Sequence, residues 1–117
     1  MEESLENLGE HSYRRLPASV KKKGYDMVQI RRGARAVVYS GAADGTVLKY
    51  ETFIIKKHDG RNFGGVLVAP AEYWPGDESY GDWAWNWGAW KGGLEEALRK
   101  FEEIEAGVNE KTENNAD

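Results

Sequence analysis

The sequence predicts an α+β fold: a small antiparallel β-meander of three to five strands, with one C-terminal helix packed on a sheet face. Two patterns lead to this fold class. Segments rich in β-branched and aromatic residues alternate with glycine-containing turns over residues 25–68. One amphipathic segment, residues 94–106, follows them. Laying that helix on the sheet lets both elements bury their apolar residues.

The first three predicted strands are separated by two short turns. Residues 25–31 and 34–39 flank an Arg32-Gly33 turn, and residues 47–57 follow a turn that contains Asp44-Gly45. An Asp-Gly pair supplies the positive φ angles that a tight hairpin requires. The third of these strands carries apolar residues on both of its faces, which predicts a strand that is central in the sheet or flanked on both sides.

The next part of the chain is predicted to hold a loop and two further strands. Residues 58–65 read as the loop and residues 66–68 as a short strand, since glycines break the pattern between them. Farther along, Trp83, Trp85 and Trp87 alternate with smaller residues. This period of two predicts a strand that carries the three indole rings on one face.

The helix is predicted over residues 94–106. Two glutamates fall in its first turn, where the helix dipole favours negative charge, and Gly107 is a suitable stop. Five apolar residues share one side of it at helical spacing: Leu94, Ala97, Leu98, Phe101 and Ile104.

The domain organisation expected from these patterns is simple. Residues 25–106 are predicted to form a single α+β domain. Residues 1–24 mix charged residues with few apolar anchors and are predicted to be a flexible N-terminal segment, and residues 107–117 a polar flexible tail. A chain of 117 residues supports one modest core rather than two.

Composition excludes several classes of protein. The chain has no cysteine, which excludes disulfides, cysteine zinc sites, iron–sulfur ligation and thiol nucleophiles. Residues 1–10 carry four glutamates and no apolar run, so no secretory signal is expected. No segment reaches the roughly 18 apolar residues of a membrane span. We expect a cytoplasmic protein that makes no membrane contact and carries no cofactor or metal.

Charge is unevenly distributed along the chain. The formal net charge is −4, yet residues 71–117 hold four basic and twelve acidic residues, so the first 70 residues are net basic. Such asymmetry can steer a partner through the summed field of the protein. It can equally be the ordinary solvation of exposed faces, since surface charge pairs have little energetic value.

The order of features between residues 25 and 105 resembles that of a family of small uncharacterised bacteriophage and prophage proteins. The residues that carry this resemblance are Tyr25, Tyr39, Tyr50-Glu51, Lys56-Lys57, Pro70-Ala71-Glu72, Pro75, Tyr80-Gly81, Trp85, Ala97 and Phe101. The chain departs from the family pattern in its heavy aromatic content at Trp83, Trp87 and Trp90. The resemblance implies a bacterial host cell as the setting, and by analogy the binding of a host or viral component, without a transferable activity.

A catalytic function is not expected from the residues themselves. The two histidines, His11 and His58, show no metal-ligand spacing, and neither a phosphate-binding loop nor a serine-hydrolase elbow is present. Carboxylates beside aromatic rings are also found in the active sites of glycosidases. A catalytic pair of carboxylates needs a defined distance between its two groups, which sequence spacing along a turn-rich loop does not specify. We therefore expect no catalytic residues. A sugar-binding surface built from the same carboxylates and rings remains an alternative.

The leading functional hypothesis is a non-catalytic module that binds another protein, with self-association as a variant. All five tryptophans fall between residues 74 and 90, and their combined bulk is large for one short helix to cover. Tryptophan and tyrosine are enriched among interface hot spots. The aromatic contact residues predicted on this basis are Tyr73, Trp74, Tyr80, Trp83, Trp87 and Trp90. The charged rim predicted around them consists of Glu72, Asp77, Glu78 and Asp82.

The alternative hypothesis is binding of single-stranded nucleic acid. Basic residues on the predicted sheet and its loops could contact phosphates while the aromatic rings stack on bases. The acidic sequence pI of about 5.3 weighs against a dedicated nucleic-acid-binding domain. The phosphate contacts predicted for this alternative are Arg31, Arg32, Arg35, Lys56, Lys57 and Arg61.

Overall fold

The computed structural model describes residues 13–107. These residues divide into two units, a smaller one formed by residues 13–16 and 56–74 and a larger one formed by residues 17–55 and 75–107. The range 25–106, predicted as one domain, thus contains parts of both units. Residues 1–12 of the segment predicted to be flexible, and residues 108–117 of the predicted tail, lie outside the described residues.

Nine strands, two short 3-10 helices and one α-helix occur in the described part of the chain. The strands are β1 (Ser19–Lys22), β2 (Tyr25–Arg32), β3 (Ala36–Ala43), β4 (Thr46–Ile54), β5 (Lys57–His58), β6 (Arg61–Phe63), β7 (Val66–Val68), β8 (Ala71–Glu72) and β9 (Ala84–Gly88). The 3-10 helices are Asp77–Ser79 and Ala89–Lys91, and α1 is Gly93–Glu105.

The larger unit is an antiparallel sheet of five strands in the order β1-β2-β3-β4-β9, with α1 against one of its faces. The helix contacts β3, β4 and β9. The predicted fold class, an antiparallel meander with a C-terminal helix, is confirmed, and β4 is a central strand between β3 and β9.

Two elements of this sheet differ from the prediction. The strand β1 lies within the segment expected to be flexible; the left-handed backbone at Lys23 and Gly24 makes the tight turn that pairs β1 with β2. The predicted strand over residues 83–87 begins one residue later, at Ala84, so Trp83 precedes it. Strand β1 was not predicted because its single apolar residue, Val20, lies in a lysine-rich segment and gives no periodic signal.

The two faces of the sheet have separate cores. On the face covered by α1, here called the helix face, Ala36 and Val38 are buried with Ala97 and Phe101. The buried Thr52 donates a hydrogen bond from its hydroxyl to the carbonyl oxygen of Ala97 at 2.8 Å, which ties β4 to the helix.

On the opposite face, Tyr39 and Phe53 are fully buried and stack with their ring centroids 5.8 Å apart. The Tyr39 hydroxyl donates to the backbone carbonyl of Pro17, so this buried phenol has a partner. Residues on both faces of β3 and β4 are therefore buried, as the apolar pattern of residues 47–57 indicates.

Two β-bulges place extra apolar residues in the sheet. The pairing of β2 with β3 shifts between Gln29 and Arg31, which leaves Ile30 without an opposite residue. The pairing of β3 with β4 shifts between Gly41 and Ala42, which leaves Leu48 as the extra residue on β4. A bulge inserts one residue and reverses the alternation of side chains beyond it, so Arg31 lies on the helix face and Val47 joins it there.

The last turn of α1 is fastened to the loop between β2 and β3. The Glu105 carboxylate accepts hydrogen bonds from the backbone N–H groups of Ala34 at 3.0 Å, and of Arg35 and Ala36 at 2.7 Å each. Gly33 is needed beside it, because a Cβ atom there would lie 2.3 Å from the Glu105 carboxyl carbon. Desolvation is the largest single influence on the pKa of Glu105 and raises it, but the three N–H donors and the Arg35 charge together bring it below its ordinary value.

The smaller unit contains two short two-stranded sheets, β5 with β8 and β6 with β7. Gly64 and Gly65, both with positive φ, turn the chain between β6 and β7. Strand β6 falls in the segment 58–65 that was read as a loop, β5 spans the end of the predicted strand 47–57 and the start of that loop, and β8 lies where no element was predicted. Stretches of two or three residues are too short for a period to be detected.

Candidate functional site

The aromatic residues predicted to contact a partner are divided between the two units. Tyr73 and Trp74 belong to the smaller unit, and Tyr80, Trp83, Trp87 and Trp90 to the larger one. Their environments differ widely, from a mostly exposed indole to rings packed against the sheet.

Trp90 has the largest accessible fraction, 72%, among the large apolar residues whose burial the structure describes. It lies in the 3-10 helix Ala89–Lys91, between the end of β9 and the start of α1. Its ring lies over Gly88, where a Cβ atom would come within 2.9 Å of the indole. The sequence prediction of Trp90 as a contact residue agrees with this exposure.

The loop that carries Trp90 is held by a close backbone contact. Gly93, the first residue of α1, lies so near Gly88 that a Cβ atom on it would be 2.3 Å from the Gly88 carbonyl oxygen. Gly92 adopts φ +71°, a left-handed conformation suited to glycine. Gly92 and Gly93 thus allow the chain to reverse its direction tightly. The Trp90 indole therefore projects from a constrained backbone.

Trp83 does not share a face with Trp85 and Trp87, contrary to the prediction. Its ring makes an edge-on contact with Phe53, at 6.4 Å between centroids, on the face opposite α1. The alternation of side chains holds only within a strand, and Trp83 lies just before β9, where its amide donates to the Ser79 carbonyl instead of the ladder. This contact makes Trp83 part of the packing of that face.

Trp85 and Trp87 lie on the helix face, as the period of two predicts. Trp87 pairs across the ladder with Tyr50 and packs against the core of the helix face. Trp85 pairs with Thr52, and the ammonium of Lys100 lies 4.5 Å from the centre of its ring. Both indoles are half-buried, so most of their bulk stabilises the contact between sheet and helix.

Tyr80 belongs to a polar cluster on the opposite face that the sequence analysis did not identify. Its hydroxyl donates to the Glu51 carboxylate at 2.7 Å, and the Lys49 ammonium lies 2.8 Å from the other Glu51 oxygen. Lys49 also lies over the Tyr25 ring, 4.2 Å from its centre. Glu51 is only 4% exposed, and each of its oxygens has a partner. The alternation of residues 47–57 places Glu51 and Lys49 on one face, which is the signal that could have indicated the pair.

In the smaller unit, Tyr73 is exposed and Trp74 is half-buried with contacts of its own. The Tyr73 ring stacks on His58 with the planes 16° apart and the centroids separated by 6.4 Å. Tyr73 is therefore accessible to a partner, whereas Trp74 is accessible only in part.

Three of the four residues predicted for the charged rim are exposed, and the fourth, Glu72, is buried. Glu72 is 8% exposed and accepts hydrogen bonds from the Tyr13 hydroxyl at 2.6 Å and the Leu16 amide at 2.9 Å. This buried carboxylate organises the smaller unit, so its predicted place in a solvent-exposed rim is wrong. A glutamate in a loop-like segment carries no sequence signal for such burial.

Asp77, Glu78 and Asp82 are exposed, as predicted. Asp77 forms an ion pair with Lys23 at 2.8 Å. The hydrogen bond and charge of Lys23 lower the pKa of Asp77, and those of Asp77 raise the pKa of Lys23. Because both side chains are in solvent, this pair contributes little to the stability of the fold.

The basic residues of the alternative hypothesis are also divided. Lys56, Lys57 and Arg61 belong to the smaller unit, where the Lys57 ammonium lies 5.5 Å from the centre of the Tyr13 ring. Arg31, Arg32 and Arg35 belong to the larger unit.

Two of these three arginines already interact with acidic residues of α1. Arg31 pairs with Glu102 at 3.0 Å and lies over the Phe101 ring at 4.8 Å. The Arg35 charge acts on Glu105. Past the bulge, Arg32 pairs with Val37 and so faces away from Arg31. These three arginines do not form one cationic face.

A further apolar surface on the larger unit was not predicted. Strand β2 and the start of β4 leave several large residues on or beside the helix face between 36% and 44% exposed, and Leu94 in the first turn of α1 is 39% exposed. We call this surface the open half of the helix face; its residues are Val28, Ile30, Val47, Leu48 and Leu94. The bulges that leave Ile30 and Leu48 unpaired cannot be read from periodicity alone.

The described residues contain neither a metal-binding cluster nor a membrane-spanning helix. No group of three histidine, aspartate or glutamate side chains in residues 13–107 could hold a metal ion. Within the same residues, no helix combines the length and the apolar character needed to cross a membrane.

Comparison with known proteins adds no further assignment: no family model, no curated protein and no solved structure matches the chain.

Proposed function

We propose that this protein is a non-catalytic module that binds another protein, and that Trp90 is the centre of the contact. The observation that carries the proposal is the 72% exposure of this indole. Exposure of a large aromatic side chain to water is unfavourable in free energy. Burial of that side chain against a partner removes this unfavourable contribution.

The setting of Trp90 supports this role. Its loop is constrained by the approach of Gly93 to Gly88, so little backbone freedom would be lost on binding. The short helix that carries it contacts β4, the strand that also presents Val47 and Leu48 to solvent. Exposed apolar residues in the same unit enlarge the area available to a partner.

We further propose that the partner is a host or viral component in the cytoplasm of a bacterial cell. The likeness to small phage and prophage proteins and the absence of cysteine support this setting. The two buried carboxylates, Glu51 and Glu72, are fully engaged by neighbouring donors, which supports a structural rather than a catalytic role for them.

Photocrosslinking from position 90 tests the proposal. Benzoylphenylalanine replaces Trp90 in one variant and Val66 in a control, since Val66 is also exposed, at 63%, but lies in the smaller unit. Both variants are irradiated in bacterial cells, and adducts are identified by mass spectrometry after a circular-dichroism check of folding. We expect one dominant adduct with a different protein from position 90 and none of that protein from position 66.

Because benzoylphenylalanine keeps a large aromatic group at position 90, the absence of a specific adduct there, or the same adducts from both positions, would contradict the proposal. Nucleic-acid binding, the alternative, is measured in parallel by gel shifts with single-stranded oligonucleotides at several salt concentrations. A shift at micromolar protein that weakens steeply with salt and with Arg31→Ala/Arg32→Ala would favour the alternative.

A further inference from the structure

We propose that the open half of the helix face is a docking groove for an amphipathic α-helix of the partner, with basic residues on the flank that faces α1. This inference deepens the protein-binding function proposed above and rests on it. It is carried by the dimensions of the sheet, by the apolar floor and by the charge of the helix flank.

The sheet has room for a second helix beside α1. Neighbouring strands are about 4.8 Å apart, so β2 lies about 10 Å from β4, the middle of the three strands that α1 contacts. This separation matches the distance of about 8–10 Å between the axes of two packed helices. The eight residues of β2 extend over about 27 Å, which accommodates a helix of about 14 residues, or about 21 Å.

The middle of the groove floor is apolar, between the charged residues Asp26 and Arg31 on the same face of β2. Val28 lies in one cross-strand row with Ser40, Tyr50 and Trp87, and the row ends beneath α1. Val47 belongs to the next row, opposite Ala42. Val28 and Val47 are 44% and 38% exposed, whereas Tyr50 and Trp87 in the same sheet pack against the core. The apolar surface therefore continues from the covered half of the sheet into the open half.

The wall of the groove is the flank of α1 that faces β2. Glu102 on this flank is already paired with Arg31 of β2, so the negative charge open to a partner is that of Glu95, seven residues earlier on the same side of the helix. Leu98 and the exposed Leu94 lie between these carboxylates and the sheet. A partner helix in the groove would place its own flank beside Glu95, where lysine or arginine is favoured.

The far edge of the groove is electrically balanced. Lys21 on β1 pairs with Asp26 on β2 at 3.1 Å, so this edge selects no particular sign. A second copy of the chain is a poorer occupant, because the outer side of α1 presents the charged pair Arg99 and Glu96 in place of an apolar stripe.

Selection from a library of random 16-residue peptides displayed on ribosomes, with the full chain as bait, tests this inference. We expect enriched peptides with apolar residues at helical spacing and with lysine or arginine on one flank. The substitution Val28→Asp should weaken their binding at least tenfold, and Glu95→Lys about threefold to fivefold, a range typical of one exposed charge pair. The matched control Val66→Asp, in the smaller unit, should leave their affinity unchanged.

Four outcomes would overturn the inference: no enrichment, enriched peptides with a period of two, enriched peptides with an acidic flank, or binding insensitive to Val28→Asp. A dimer of the chain in sedimentation experiments that Val28→Asp dissociates would also overturn it, by identifying a second copy as the occupant. Peptides that need Trp90 but not Val28 would refute the groove while leaving the protein-binding function intact. Failure of that function is read separately, from the crosslinking at position 90.

Discussion

Glu105 illustrates how one side chain can determine the geometry of two elements. Its carboxylate accepts three consecutive backbone N–H groups of the β2–β3 loop, and the same contact holds the end of α1 over β3. A carboxylate held by several backbone donors is favoured in its charged form, which is why its pKa is lowered despite the desolvation. Gly33 makes room for it.

Replacing Glu105 with glutamine should lower the free energy of unfolding by about 1.5–3 kcal/mol at neutral pH, the range for hydrogen bonds to a charged group. The stabilisation by Glu105 is present above the pKa of the unfolded chain and is lost as pH falls through the lower pKa of the folded state. Denaturant titrations between pH 7 and pH 3 should therefore show the two proteins converging in acid. A constant difference over this range would contradict the role given to the charge.

Trp90 and Phe53 provide a contrast in what an aromatic residue does. Trp90 is mostly exposed and Phe53 fully buried. We expect Trp90→Ala to change the free energy of unfolding by no more than about 0.5 kcal/mol, and Phe53→Ala to lower it by about 3–5 kcal/mol. Denaturant unfolding of both variants measures this. A loss above about 2 kcal/mol for Trp90→Ala would mean that its indole is a packing residue.

At the scale of elements, the junction of β9 with α1 depends on glycine. A Cβ atom on Gly93 would come within 2.3 Å of the Gly88 carbonyl oxygen, so Gly93→Ala must move the start of the helix away from β9. We expect Gly93→Ala to lower the free energy of unfolding by about 1–3 kcal/mol, as at other overpacked positions. The NMR chemical shifts of the backbone amides of Trp87 and Trp90 should also change. Glu95→Ala, in the same helical turn but exposed, is the control. Equal stability of the two variants would contradict this close contact.

The elements also show what could be predicted from the sequence. The stripe of α1 and the Asp44-Gly45 turn are strong local signals, and both are confirmed. The strand β1 was missed because its pairing depends on a lysine and a glycine in the left-handed region, and Trp83 was misassigned because it lies just outside its strand. Turn conformation and strand limits are decided by tertiary pairing, which periodicity does not record.

The candidate surface could be predicted only in part. The excess of aromatic bulk over what one helix can cover predicted that at least one of Trp74, Trp83, Trp87 and Trp90 is part-exposed, and Trp90 is the one that is exposed. The open half of the helix face could not be predicted, because its exposed residues depend on two bulges and on where the helix lies across the sheet. Glu72 shows the reverse error: a carboxylate that reads as solvated is buried by the fold.

At the scale of the molecule, charge and apolar surface are segregated within the larger unit. The β1–β2 hairpin carries three consecutive lysines, Lys21, Lys22 and Lys23, whereas α1 carries five glutamates against one arginine and one lysine. The exposed apolar residues lie between these regions, on the open half of the helix face. Because Asp26 and Asp77 balance two of the lysines, it is the acidic helix that gives a partner on this apolar surface a preferred orientation.

The central claim is that Trp90 is the main contact with a partner protein. Its most direct test is the dissociation constant of the partner recovered by crosslinking, measured by isothermal titration calorimetry with the wild-type chain and with Trp90→Ala. Burial of an exposed indole at a hot spot predicts a loss of at least about 2 kcal/mol, or about 30-fold in affinity. An unchanged dissociation constant for a correctly folded Trp90→Ala variant would contradict the claim.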